Sequence, residues 1–278
     1  MKHPIVPRLT SMLAVWLVLV IWSAVAQQVG IAGNLAFLLI ISVPVAMSGA
    51  ERSFCRRHAL RAEYLRQGGW LYRLMGNEAL VFAVEGVAAL LLVAILMIGA
   101  VALTIREWSL LLLDVFVLAL LMPRVPGLLH DSVKPVYLYA LSRRWAVWFS
   151  TLLLWLEAML VLLLGSNDDY RGLTWDQAVA YATAPMAESG SNALASTMLR
   201  IDAGADGLAC WAAYRLLHGS GGLAQALEAA LALAAVSAFW FLLAWGYSRA
   251  LVGATARPLA IWRPRRGQES GAFETWWQ

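Results

Sequence analysis

Residues Ala79–Thr104 read ALVFAVEGVAALLLVAILMIGAVALT, a stretch in which Glu85 is the only charged side chain. A helix needs about twenty consecutive apolar residues to cross the roughly 30 Å hydrocarbon core of a bilayer. The sequence therefore predicts an all-α fold, a polytopic membrane helix bundle of about six transmembrane helices with a short helical outer loop between spans 5 and 6. The other predicted spans are Leu9–Ala26, Val29–Met47, Trp108–Met122, Trp145–Leu164 and Leu223–Trp245.

The composition supports a bilayer as the solvent for this chain. Its 278 residues are 61% hydrophobic and 14% charged, whereas soluble domains carry about a quarter charged residues. The net charge of +4 is compatible with nucleic acid, but the basic residues flank the apolar runs, which is typical of membrane proteins. We therefore expect no nucleic-acid partner.

The distribution of basic residues predicts the orientation. Placing the N-terminus in the cytoplasm puts 17 of the 21 lysines and arginines on that side. Arg106, Arg171, Arg200 and Arg215 remain outside. Cytoplasmic loops of membrane proteins carry this excess of positive charge, so we expect both termini to be cytoplasmic in a multi-pass protein of the bacterial inner (plasma) membrane, with an anionic inner leaflet.

The spans divide the chain into six segments. We predict a transmembrane hairpin at 1–48, a basic amphipathic cytoplasmic loop at 49–78, spans 3–5 at 79–164 with a cytoplasmic loop at 123–144, an exterior or periplasmic helical loop at 165–222, span 6 at 223–247 and a basic cytoplasmic tail at 248–278.

Sequence motifs for catalysis are scarce. Neither a P-loop, a GxSxG elbow, an HExxH pair nor a Rossmann glycine signature occurs, and the two cysteines, Cys55 and Cys210, are predicted on opposite sides of the membrane. We expect no enzyme activity, no cofactor and no metal site.

Four carboxylates lie in the predicted spans: Asp114, Glu157, Glu85 and Glu228. Charge in hydrocarbon is costly, so such residues face a cavity, a partner helix or a transport path. We predict that Asp114 and Glu157 line one cavity in the outer half, while Glu228 lies nearer the interface. The alternative is that these carboxylates only form hydrogen bonds between helices.

Two groups of arginines are predicted to dock lipid or a partner. The cytoplasmic loop interleaves aromatic residues with arginines, which is typical of a helix lying on the inner leaflet. A basic pair also precedes the fifth span. The residues are Arg56, Arg57, Arg61, Arg66, Arg143 and Arg144.

The layout resembles that of ABC-2-type export permeases. The common features are six spans, an amphipathic segment after the second span, short outer helices between the fifth and sixth, and a basic turn, here Leu141-Ser142-Arg143-Arg144, before the fifth span. The resemblance implies a permease that works with a separate cytoplasmic ATPase.

Two functional hypotheses follow. The first is a permease-like membrane subunit of a transport system, for export or ion-coupled transport, with protein partners in the membrane. The second is a non-catalytic scaffold subunit of a larger envelope complex (a secretion, conjugation or respiratory assembly). The second is favoured by Ala226, Ala230, Ala234 and Ala238, whose spacing predicts a helix-packing face.

Overall fold

The computed structural model describes residues 5–64, 69, 77–133, 135–165, 170–187, 193–218 and 222–256. Every regular element in these ranges is helical, which confirms the all-α bundle. The helices are α1 (Ile5–Val25), α2 (Ile31–Tyr64), α3 (Glu78–Ala100), α4 (Ile105–Leu121), α5 (Val125–Leu129), α6 (Pro135–Leu164), α7 (Trp175–Thr183), α8 (Ala193–His218) and α9 (Leu223–Ala254), with a 3₁₀ turn at Ala184–Ala187.

Five of the helices in the described ranges are long and apolar enough to cross a membrane. They are α1, α2, α3, α6 and α9, with candidate spans at Val6–Val25, Ile31–Phe54, Ala79–Ala100, Ala140–Leu164 and Leu223–Ala254. Helix α4, which contains most of the predicted fourth span, has 17 residues and is therefore only about 26 Å long.

The direction of the helices shows that α4 nevertheless returns the chain across the bundle. Along α9, Leu243 lies against Gly99 of α3 and Arg249 against Glu85, so α3 and α9 are antiparallel. Helices α6 and α9 are also antiparallel, because Trp155 pairs with Ser237 and Ser150 with Ser248. Since α3 and α6 therefore run the same way, α4 and α5 connect them by crossing back.

Four buried charges lie at one end of the bundle, which we call the ion-pair end. They are Glu51 on α2, Glu85 on α3, Arg143 on α6 and Arg249 on α9. Between 15 and 26 residues of helix, or about 22–39 Å, lead from these charges to the opposite end, a range that includes the thickness of one bilayer core. We call that opposite end the α8 end.

Helix α2 continues beyond the ion-pair end. The predicted cytoplasmic loop begins at residue 49, but α2 runs without interruption to Tyr64. The segment from Glu51 to Tyr64 is therefore a helical extension of the span. Residues 65–68 and 70–76 of the predicted loop, and residues 257–278 of the predicted tail, lie outside the described residues.

The core consists mostly of aliphatic side chains from α1, α2, α3, α4, α6 and α9, with Met12, Val93, Leu118, Tyr247 and Leu251 fully buried. Two smaller clusters join α8 to the α8 end of the bundle. One packs α8 against α6 and α9, and the other packs it against α7 and α9. The predicted helical outer loop is therefore attached to the spans.

Candidate functional site

Asp114 is the most deeply buried of the four predicted intramembrane acids. It lies on α4, is 1% exposed and faces α6 and α9. The Ser150 hydroxyl donates to Asp114 Oδ2 at 2.7 Å, and the Ser150 and Ser248 hydroxyl oxygens are also 2.7 Å apart. One carboxylate and two hydroxyls, from three helices, thus form a short polar chain inside the bundle.

The second carboxylate oxygen of Asp114 has no hydrogen-bond partner in the described structure. An unsatisfied buried polar atom costs about 1–3 kcal/mol, and more when the group is charged. A protonated carboxyl or a bound cation would relieve this cost. Asp114 therefore has the chemistry of a group that takes up and releases a cation.

Polar groups extend from Asp114 toward the α8 end. One turn away along α4, the Tyr247 hydroxyl donates to the Leu111 carbonyl oxygen at 2.7 Å. One turn further lies Glu107, whose carboxylate closes a capping box with Thr104 at the start of α4. Exchangeable groups therefore recur at each turn between Asp114 and the α8 end.

Glu157 and Asp114 have different neighbours in the described structure. Glu157 is half-buried on α6, about 10 Å along the helix from Ser150, and interacts electrostatically with Glu107 and Arg106. A cleft between spans at the ion-pair end is lined by neither Asp114 nor Glu157. A cavity common to the two carboxylates therefore stays a prediction.

A second group of acids surrounds Glu107. Asp202 and Asp206 lie one turn apart on α8, and Asp202 Oδ1 is near Gly99 of α3. The pKa of Asp202 is raised from 3.8 to about 8. Burial is the largest cause, followed by the Asp206 carboxylate and then by Glu107. Asp202 is therefore mostly protonated at neutral pH. The sequence does not single out Asp202, because it predicts residues 165–222 as an exterior helical loop.

The raised pKa makes stability depend on pH. An acid whose pKa is higher in the folded state binds more protons when folded, so stability falls as pH rises from about 4 to about 8. We expect the wild type to lose on the order of 3–4 kcal/mol relative to Asp202→Asn between pH 5 and pH 8. Detergent unfolding at each pH measures this difference. Asp131→Asn, at an exposed carboxylate elsewhere, is the control, and parallel pH curves for wild type and Asp202→Asn would contradict the prediction.

Glu85 forms a buried ion pair at the ion-pair end. Its Oε2 accepts a hydrogen bond from Arg249 at 3.1 Å, and Ser53 of α2 donates to Oε1 at 2.5 Å. Arg249 also donates to the Val45 carbonyl oxygen at 3.0 Å. Helices α2, α3 and α9 are therefore joined by one carboxylate and one guanidinium, and the role of Glu85 in a transport path stays a prediction.

A second buried pair links α2 to α6. Arg143 lies 3.3 Å from Glu51 Oε2 and also donates to the Val252 carbonyl oxygen of α9. The sequence assigned Arg143 to docking, but this side chain is 4% exposed and lies inside the bundle. The glutamate was missed because residue 51 was placed in a loop.

The other predicted docking arginines differ in their positions. Arg144 and Arg56 are exposed, and Arg57 is half-buried. The side chain of Arg61, on α2, and residue Arg66 lie outside the described residues. Glu228, the remaining predicted path residue, is exposed near the beginning of α9, at the α8 end. It takes no part in the Asp114 chain.

The described residues contain no group of three or more His, Cys, Asp or Glu side chains arranged to hold a metal ion. Separately, the carboxylate of Asp114 with its two hydroxyl neighbours forms a group that can exchange a proton.

Comparison with known proteins gives no relative. No protein-family model, no curated protein and no solved structure matches this chain. The fold defines a class of protein, the multi-pass helical membrane protein, and any more specific assignment depends on the geometry described above.

Proposed function

We propose that this chain is the permease-like membrane subunit of an ion-coupled transport system, in which Asp114 takes up and releases the coupling proton. The observation that carries the proposal is the 1% exposed carboxylate with one oxygen bonded to Ser150 and the other without a partner in the described structure. Ionisable residues inside a membrane bundle are rare and mark ion paths in pumps and transporters.

The polar groups on both sides of Asp114 support this function. Toward the α8 end they are the Leu111 carbonyl oxygen with the Tyr247 hydroxyl, and then the Glu107 carboxylate. Toward the ion-pair end they are the hydroxyls of Ser150 and Ser248. Ser248 is followed directly by Arg249, which is paired with Glu85. A proton moving along this series would meet an exchangeable or hydrogen-bonding group at each turn of helix.

The experiment is proton flux into liposomes that contain the purified full chain. A potassium gradient with valinomycin sets the membrane potential, and an internal pH-sensitive dye measures proton entry. We expect Asp114→Asn to reduce the flux at least about tenfold, because the amide keeps the volume and accepts the Ser150 hydrogen bond but does not exchange a proton at neutral pH.

Two controls make the result decisive. Asp131→Asn removes an exposed carboxylate at the ion-pair end and should leave the flux unchanged. Thermal unfolding in detergent should show that Asp114→Asn is folded. Equal flux in wild type and Asp114→Asn, or wild-type flux no greater than that of protein-free liposomes, would overturn the proposal.

A scaffold subunit of an envelope complex is the second candidate function, and one feature of α9 favours it. Ala226, Ala230, Ala234 and Ala238 recur every fourth residue and are all exposed in the isolated chain. Small residues at this interval let membrane helices approach closely. Co-purification of a stable membrane partner in mild detergent, lost in Ala230→Leu and retained in Asp114→Asn, would support this candidate instead.

We further propose that the ion-pair end faces the cytoplasm, as the excess of basic residues at that end favours. The α2 extension, with Arg56 and Arg57, would then be available to an ATPase or the inner leaflet. Exposed sites for single cysteines exist at Asp131 on one side and Arg171 on the other.

Thiol labelling of intact cells tests this orientation. With both native cysteines replaced by serine, we expect Arg171→Cys to react with a membrane-impermeant maleimide and Asp131→Cys to react only after permeabilisation. Burial raises the pKa of the native Cys210 thiol to about 11, so this thiol would contribute little background even if retained. Labelling of Asp131→Cys from outside would reverse the orientation.

A further inference from the structure

A groove at the ion-pair end runs between α2 and α6, with α9 as its floor. Its empty volume, including the open mouth, is about 410 Å³. The α2 wall is lined by Gly49, Glu51 and Arg52. The α6 wall is lined by Arg143, Arg144, Val147 and Trp148, and the floor is formed by Trp245 and Arg249. Asp114 is not among the lining residues, so the groove is separate from the proposed proton site.

The groove carries more positive charge than its own carboxylates neutralise. Arg143 is paired with Glu51, and Arg249 is paired with Glu85. Arg52 lies 4.0 Å from Glu85, a carboxylate already engaged by Arg249, and its side chain is 43% exposed. Arg144 is exposed on the opposite wall. The guanidinium groups of Arg52 and Arg144, one on each side of the mouth, therefore have little negative charge to balance their own.

The aromatic residues of the groove complement this charge. Trp148 and Trp245 are stacked with ring centroids 6.5 Å apart, and the Arg249 guanidinium lies 5.6 Å from the centre of the Trp245 ring. Tryptophan is enriched where the hydrocarbon core meets the headgroups. The ion-pair end marks one such boundary, because mostly apolar helical segments of 15–26 residues separate it from the α8 end.

We propose that this groove binds the phosphate headgroup of an anionic phospholipid. Arg52 and Arg144 hold the phosphate oxygens from opposite walls, as guanidinium groups do in bidentate phosphate recognition. The indole rings of Trp148 and Trp245 contact the glycerol backbone and the first methylene groups. The lipid thereby joins α2 to α6, which contact one another far less than each contacts α9.

The experiment is a titration of the full chain, purified in a neutral detergent and observed by native mass spectrometry. Short-chain phosphatidylglycerol, phosphatidylcholine of the same chain length and inorganic phosphate are the three probes. We expect one phosphatidylglycerol to bind tightly per chain, and Arg52→Gln/Arg144→Gln to weaken that binding about thirtyfold, because each basic residue contributes about a factor of five near an anionic lipid.

The matched control removes two arginines at the same end but outside the groove, Arg8→Gln/Arg124→Gln. It should bind phosphatidylglycerol as the wild type does. If it loses as much affinity as the groove variant, the attraction is general and the site is refuted. Equal binding of phosphatidylcholine also refutes it, and inorganic phosphate binding as tightly as phosphatidylglycerol would assign the groove to a soluble phosphate.

Unfolding midpoints in lipid-free detergent show whether each variant is folded. Both double variants alter side chains that are exposed or half-buried, so we expect these midpoints to match the wild type. Because binding is measured without transport, loss of the lipid site and failure of the proton-coupled function are separate results.

Discussion

Arg249→Met is expected to destabilise the bundle by about 3 kcal/mol, because it leaves the Glu85 carboxylate buried without its guanidinium partner. The two side chains are 5% and 10% exposed, so water compensates little of the lost interaction. Arg52 remains near the other carboxylate oxygen and is 43% exposed. This residual partner places the expected cost at the lower end of the range for broken buried pairs.

A double-mutant cycle tests whether this loss of stability comes from the broken ion pair or from the change in side-chain size. The free energy of unfolding is measured in mixed micelles of a mild detergent and dodecyl sulfate. We expect Glu85→Leu/Arg249→Met to recover at least half of the loss, since replacing both ions with apolar groups is often close to neutral. Arg52→Met should cost less than about 1 kcal/mol. Additive losses in the double variant would contradict the coupling.

Gly253→Ala is expected to cost about 2–3 kcal/mol, in the range found for overpacked cores. Gly253 lies where α9 crosses α2, and a Cβ atom built there would be 1.9 Å from the Pro44 carbonyl oxygen. That atom belongs to helix backbone, so relief requires the two helices to separate. The shift would also disturb Val252, whose carbonyl oxygen accepts from Arg143.

Gly86→Ala is the matched control, because Gly86 also lies within a spanning helix and nothing is within 4 Å of its built Cβ. Alanine is favoured over glycine in a helix interior by about 1 kcal/mol, so this variant should be neutral or stabilising. The same unfolding measurement compares both variants with the wild type. Equal effects of the two substitutions would show that helix propensity, rather than the close crossing, controls stability.

The positions of the long apolar helices follow from local sequence. The apolar run Ala79–Thr104 predicted the span that the structure shows as α3, and Leu223–Trp245 predicted most of α9. A backbone in hydrocarbon must satisfy its own hydrogen bonds, so an apolar run of sufficient length forms a helix whatever its neighbours are. The place of Asp114 within a helix of the bundle also followed from such a run.

The sequence did not predict which charges meet. Arg249 and Glu85 are 164 residues apart, and Arg249 and Glu51 were placed in a tail and a loop. Likewise, Asp114 and Glu157 were both predicted in the outer half of the bundle but have separate neighbours, because α4 presents Asp114 to Ser150 and Ser248.

The physical reason is that helix rotation leaves little trace in the sequence of a membrane protein. In water, the apolar face of a helix shows which side is buried, whereas lipid and protein interior are equally apolar, so an apolar residue does not distinguish the two sides. Composition thus determined the class of the protein, a multi-pass helical membrane protein. Only tertiary packing, through close approaches such as Gly253 to Pro44, decided the neighbours of each helix and the partners of each buried charge.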